Sequence, residues 1–205
     1  IAIVIGIIIG IVLATIRSTY DLTKGEMKGF KKGLMGFLNA VAKVYLTVIR
    51  GTPVVIQLLI IYFVIFASSD NGVVIAALAF GINSGAYVAE IVRGGLNSIS
   101  KGQFEAAQSQ GFSFIQTLWY IILPQTYRKI IPALLSQVIT VIKDTSFLKM
   151  VDVAEFMRNC AVVMGSIYDV HGMIMLIGFE ALCYFVICFA LSCIVRSYQK
   201  TIVTA

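Results

Sequence analysis

The chain has 205 residues, of which 59% are hydrophobic and 13% charged, with 16 Lys+Arg against 10 Asp+Glu and a mean hydropathy of +0.94. Soluble domains carry roughly a quarter charged residues, so a soluble domain is excluded. The charges cluster between long apolar runs, the pattern of a polytopic membrane protein, and the length suits one bundle over 1–205 with no separate globular domain.

Five apolar segments stand out in chain order, at about 1–16, 44–66, 73–92, 130–150 and 172–195. A helix needs about twenty apolar residues to cross a bilayer, and unpaired backbone is too costly in lipid for irregular chain. The expected fold is therefore all-α, a membrane bundle of five transmembrane helices. The first run begins at Ile1 without a Met, so a longer natural N-terminus is expected. Gly6, Gly10 and the lack of a small-residue cleavage site argue against a secretory signal.

Arg50 opens the second run as a headgroup anchor, with Gly51 and Pro53 permitting a bend. In the third run Gly81, Asn83, Ser84 and Gly85 form a small-residue face suited to close helix packing. Glu90 lies three residues before Arg93, on the same helix face, which predicts an ion pair. Asp144 ends the fourth run beside Thr145 and Ser146. The stretch 147–168 is too polar to span and too apolar to float free, and reads as a broken piece dipping into the bundle. Glu180 falls in the middle of the last run. Cys183, Cys188 and Cys193 step round that helix by fives, and with Cys160 they form no CxxC pair and no metal site.

Lys and Arg set the orientation. Thirteen of them (Arg17, Lys24, Lys28, Lys31, Lys32, Lys43, Arg50, Arg93, Lys101, Arg128, Lys129, Arg196, Lys200) fall on one side and three (Lys143, Lys149, Arg158) on the other. The loops 17–43 and 93–129 and the tail are expected in the cytoplasm. The Ser68–Gly72 turn with Asp70, the 151–171 segment and the N-terminus are expected outside.

Between the third and fourth runs lies a polar island from Arg93 to Lys129. Glu105-Ala106-Ala107 predicts a short helix with a small face, Gly111 its left-handed end, Ser113 the cap of a second helix and Pro124 that helix's far end. Glu-Ala-Ala, three residues, Gly, nine residues, Ile121-Ile122-Leu123-Pro124 resembles the cytoplasmic loop of permease subunits of binding-protein-dependent ABC importers. Arg50-Gly51-Thr52-Pro53 through Gln57-Leu58, Ala86-Tyr87 through Gly95, and Lys143-Asp144-Thr145-Ser146 with Val153-Ala154-Glu155 resemble the branch that imports polar amino acids. The resemblance runs from about residue 10 to the C-terminus.

It implies that Glu105, Ala106, Ala107 and Gly111 engage a separate ATPase, present in two copies and carrying ATP and Mg. It also implies a second permease, identical or paralogous, an extracytoplasmic binding protein, an amino-acid substrate, and residence in a bacterial inner membrane. No cofactor is expected on this chain, and no nucleic acid. The substrate pocket is placed at Asp144, Thr145, Ser146 and Glu155, with Arg158 for a substrate carboxylate; Tyr87 and Glu90 are further candidates. Glu180 departs from the family, which is apolar there, and either adds charge to the pathway or bonds to a neighbouring helix. Gly95–Gly102 grazes a phosphate-loop pattern but lacks its Gly-Lys-Ser/Thr ending, so no nucleotide site is expected. An ion channel or secondary transporter accounts equally for intramembrane carboxylates. A hydrolase built on His171, Asp169 and Ser166 lacks a nucleophile turn.

Overall fold

Pro53 divides what the hydropathy pattern draws as one crossing. In the computed structural model, which describes all residues except Glu26, Asp70 and Ala205 and leaves the side chains of 201–204 aside, α1 spans Ala2–Thr23 and α2 spans Gly29–Gly51. The short α3, Val54–Ile60, then continues through a π turn at Ile61–Ile65. The expected span 44–66 is therefore two helices meeting at Thr52–Pro53, both in extended backbone. Proline supplies no N–H and crowds the preceding turn, so the helix must stop there. The stretch 17–43, expected as a loop, is almost wholly helical: Lys31, Lys32 and Lys43 lie on exposed positions of α2, and Lys24 and Lys28 flank the turn before it. Asp70, expected in the outer turn, lies outside the described residues.

α4 covers Gly72–Asn97, with the Asn71 side chain accepting from the Val74 N–H at 3.2 Å as its N-cap. The polar island, expected as a loop over 93–129, is also mostly helix. It holds the end of α4, then α5 (Lys101–Ser109) and α6 (Phe114–Thr117), and runs through a π turn at Leu118–Ile122 into α7, Leu123–Asp144. Pro124 was expected to end the helix capped by Ser113 and does not. The π turn just before it bonds the Leu123 N–H back five residues to the Leu118 carbonyl. That wider turn opens the helix where the proline ring would otherwise collide.

Past Asp144 the chain tightens to a 3₁₀ segment, Thr145–Val151, and reverses at Asp152, whose φ of 55° is left-handed. It enters α8 (Phe156–Met164) and then the long α9, Val170–Thr204. The segment expected to dip into the bundle packs against it: Val151 is buried with Leu58, Ile75, Ala79 and Phe80, and Phe147, Leu148 and Val153 cover that cluster. Among the described residues no strand occurs, and five helical segments are long and apolar enough to cross a membrane.

The most extensive packing joins α1 to α4, which run parallel. Gly81 and Gly85 receive Ile5 and Ile9, while Gly6 and Gly10 receive Ser84 and Val88. The small-residue face thus serves packing inside this chain, and α1 supplies a matching pair of glycines. A Cβ on Gly10 would lie 2.4 Å from Val88 Cγ1 and 2.9 Å from the Ala89 backbone nitrogen. Because backbone cannot step aside, Gly10→Val is expected to separate the helices and destabilise the fold by about 1–3 kcal/mol. Thermal unfolding of the detergent-purified chain checks this, with Gly178→Ala, whose added Cβ meets nothing within 4 Å, as the unaffected control.

Candidate functional site

The loop between α4 and α7 is a fastened unit. α5 closes in a Schellman arrangement: the Gly111 N–H donates to the Gln108 carbonyl at 2.9 Å, and the Phe112 N–H to the Ala107 carbonyl at 3.1 Å. Gly111 has φ +82°, the left-handed value that arrangement demands. Ser113 and Gln116 form a reciprocal capping box at the start of α6. The unit is tied down by Lys129 Nζ donating to the Ser98 carbonyl at 3.1 Å and Gln125 donating to Gln103 at 3.3 Å. Gly95 lies against Ile130, leaving no room for a side chain. Of the predicted contact residues, Glu105, Ala106 and Gly111 are exposed, whereas Ala107 is 2% exposed and faces inward. Ala107 therefore secures α5 to the bundle, and the outward face belongs to the other three.

The Gly95–Gly102 stretch forms the end of α4 and the start of α5, and the Ser98 N–H is bonded back to the Gly94 and Gly95 carbonyls.

At the opposite end of the bundle, the residues after α7 form an acidic cluster with α8 and α9. Asp144 is half-buried and accepts no side-chain hydrogen bond among the described residues; Lys143 supplies a neighbouring positive charge. The Thr145 hydroxyl donates to the Ile142 carbonyl at 2.6 Å. The Glu155 carboxylate caps α8, accepting from the Met157 and Arg158 N–H groups. The Tyr184 hydroxyl of α9 is shielded from solvent and neighbours Thr145, Glu155 and Glu180, without meeting strict hydrogen-bond geometry to any of them. Glu180 also neighbours Cys160 of α8. The fold thus gathers Thr145, Glu155 and Glu180 around Tyr184, a residue the sequence did not single out. Its signal was available: Tyr184 follows Glu180 by four positions, on one helix face.

Arg158 is engaged elsewhere. Its Nε donates to Asp152 Oδ1 at 2.9 Å, and that hydrogen bond and charge hold the Asp152 carboxyl below the usual carboxylate range. Only Nε is bonded, so the terminal guanidinium nitrogens keep their donors.

Tyr87 and Glu90 do not join this cluster. Glu90 lies 18 residues along α4 from Gly72, which touches Val153; at 1.5 Å per residue that is about 27 Å away. Its carboxylate is held by Arg17 and Arg93 at 3.4 Å each and by Arg50 at 3.9 Å. The expected Glu90–Arg93 pair is present, and Arg17 and Arg50 add to it from α1 and α2. The Arg50 guanidinium stands 5.9 Å from the Tyr87 ring centroid. These partners engage both Glu90 oxygens.

A polar link joins the Pro53 break to α4 through the buried Gln57 and Asn83. The Gln57 amide donates to the Ile49 and Thr52 carbonyls and the Thr52 hydroxyl, bridging the Pro53 break, while its carbonyl oxygen accepts from Asn83 at 3.0 Å. Sequence reasoning gave Asn83 a packing role and Gln57 none. The four cysteines are unpaired, and no group of three or more His, Cys, Asp or Glu gathers as a metal site among the described residues.

The model of the family of binding-protein-dependent transport system inner membrane components matches residues 2–203. The chain belongs to that family. This permease chain is 35% identical over 169 residues to a putative glutamine transport system permease of Rickettsia conorii, covering 81% of the chain and 76% of the relative. It is 37% identical over 166 residues to the L-cystine transport system permease TcyB of Bacillus subtilis, covering 80% and 70%. Among solved structures, that of an amino acid ABC transporter with histidines matches the permease with TM-score 0.79 and 30% identity over 98% of this chain and 86% of that one. An inward-facing MetNI methionine ABC transporter, at 18% identity and TM-score 0.67, shares the fold.

Proposed function

We propose that the chain is the membrane permease subunit of an ATP-driven importer of a polar amino acid, cationic or amide-bearing, in the bacterial inner membrane. The observation that carries this reading is the fastened α5–α6 unit, which presents Glu105, Ala106 and Gly111 outward, in a chain of the binding-protein-dependent transport family. The names of the relatives, glutamine and cystine permeases, support an amino-acid cargo. Two such permeases, identical or paralogous, frame the path; two ATPase subunits carrying ATP and Mg grip the 100–124 unit from the cytoplasm, and a binding protein delivers substrate outside.

The chemistry follows from the residues. Closure of the ATPase dimer displaces a short helix that is tied to α7 through Gln103 and Gln125, and α7 is tied to the end of α4 through Lys129 and Ser98, so the push reaches two crossings. At the outer end Asp144, lacking a hydrogen-bonding partner, offers a carboxylate to a substrate ammonium next to Thr145 and Ser146 in the chain; Glu155, Arg158 and Glu180 come to it on rearrangement. Uptake in one direction requires the outward and inward states to bind substrate unequally. The segment turned at Asp152 carries Glu155 on a different element from Asp144, so rocking alters their separation.

The test is a titration of the purified, reconstituted complex against basic, amide and acidic amino acids, reading ATP hydrolysis and uptake together. Stimulation by basic or amide amino acids is expected. Uptake driven by an ion gradient without ATP would instead establish a secondary transporter or channel.

A further inference from the structure

Three arginines converge on one carboxylate at the Glu90 end of the bundle, and Lys43 stands on the same pocket. Arg17, Lys43, Arg50 and Glu90 line an open pocket of about 540 Å³ together with Thr47, and Arg93 holds Glu90 from its other oxygen. Four positive charges against one negative leave a formal excess of +3 (Arg17, Lys43, Arg50 and Arg93 minus Glu90). Glu90 is already engaged through both oxygens: Oε1 faces Arg17 and Arg50, Oε2 faces Arg93. Each guanidinium carries five N–H donors, so most remain unused. The Nε atoms of Arg17 and Arg93 are buried with no hydrogen-bond partner. Uncompensated positive charge in a half-buried site is unfavourable, and planar guanidiniums match phosphate oxygens in pairs.

The surroundings decide which phosphate. Lys43, Thr47 and Arg50 repeat at four and three residues, one face of α2. About a third of a turn further round the helix, Phe37, Val41, Val44 and Val48 repeat at four, three and four, and are 67%, 51%, 63% and 53% exposed. A helix with a basic pocket on one face and an exposed apolar stripe on the adjoining one suits a molecule with an acyl chain and an anionic head. We infer that Arg17, Lys43 and Arg50 form a binding site for the phosphate of an anionic phospholipid whose chain lies along the α2 stripe. The bound phosphodiester, with its single negative charge, lowers that excess from +3 to +2 and joins α1 to α2 near the Pro53 break.

The test is native mass spectrometry of the intact permease–ATPase complex, with a palmitoyl-oleoyl phosphatidylglycerol or phosphatidylcholine as probe. Wild type is expected to retain the glycerol lipid in preference to the choline lipid. Lys43→Gln is expected to weaken retention about fivefold, and Lys43→Gln with Arg50→Gln further, because each basic residue at a lipid surface contributes roughly that factor. Lys43 is exposed, so its variant stays informative should the double variant fail to fold. Lys31→Gln with Lys32→Gln, on the first turns of α2 away from the pocket, is expected to retain the lipid. Equal retention of both lipids, or equal loss in the two sets of variants, would overturn the site. Displacement of phosphatidylglycerol by inorganic phosphate at matching concentration would overturn the lipid and establish a soluble anion instead.

Discussion

Gly111→Val is expected to lower ATP-driven uptake about tenfold or more while leaving the membrane bundle folded, since a side-chained residue held left-handed costs about 1–2 kcal/mol and about 1.4 kcal/mol is a factor of ten. The φ of +82° is required by the two hydrogen bonds that end α5, from Gly111 to Gln108 and from Phe112 to Ala107. An added Cβ meets nothing within 4 Å, so no collision contributes and the whole penalty is conformational. The bonded turn then opens, and α5 loses its fixed angle to the capped α6. Asn tolerates left-handed backbone better than a β-branched residue, so Gly111→Asn is expected to retain more activity than Gly111→Val. Glu105→Lys, at an exposed position with intact backbone, is expected to reduce co-purification of the ATPase. Uptake at the wild-type rate in both Gly111→Val and Glu105→Lys would remove the loop from the coupling mechanism.

Asp144→Asn is expected to raise the substrate concentration for half-maximal uptake by about ten- to a hundredfold, the range of a charge-assisted hydrogen bond at about 1.5–3 kcal/mol. Complex assembly and thermal unfolding are expected to stay at wild-type values, because Asp144 accepts no side-chain hydrogen bond that the fold depends on. Glu155 separates binding from stability. Its carboxylate caps α8 through Met157 and Arg158, so Glu155→Ala is expected to lower stability by about 1 kcal/mol in addition to any effect on uptake. Wild-type uptake kinetics in Asp144→Asn would move the substrate site away from the end of α7.

The residues differ in how far local chemistry announces their role. The left-handed Gly111, the Ser113 cap and the Glu90–Arg93 pair depend on neighbours within a few positions, and all are present as read. α2 was obscured because its lysines lower the hydropathy of a helix whose other face is apolar. Pro124 was misread because a π turn removes the clash that would otherwise end a helix there. Arg17 reaches Glu90 from 73 positions away, and Asn83 reaches Gln57 from 26, separations that no local pattern encodes.

By itself the sequence determined the all-helical membrane character, most of the crossings and the polar unit between α4 and α7, because transfer from water to lipid, backbone conformation and capping act over a few residues at a time. Tertiary structure alone decided that Arg17 and Arg50 join Arg93 on Glu90, that Thr145 and Glu155 meet at Tyr184, and that Gly6 and Gly10 interlock with α4. Those outcomes depend on which helix faces come into contact, and charge pairing and close packing act only between groups already brought within a few ångströms.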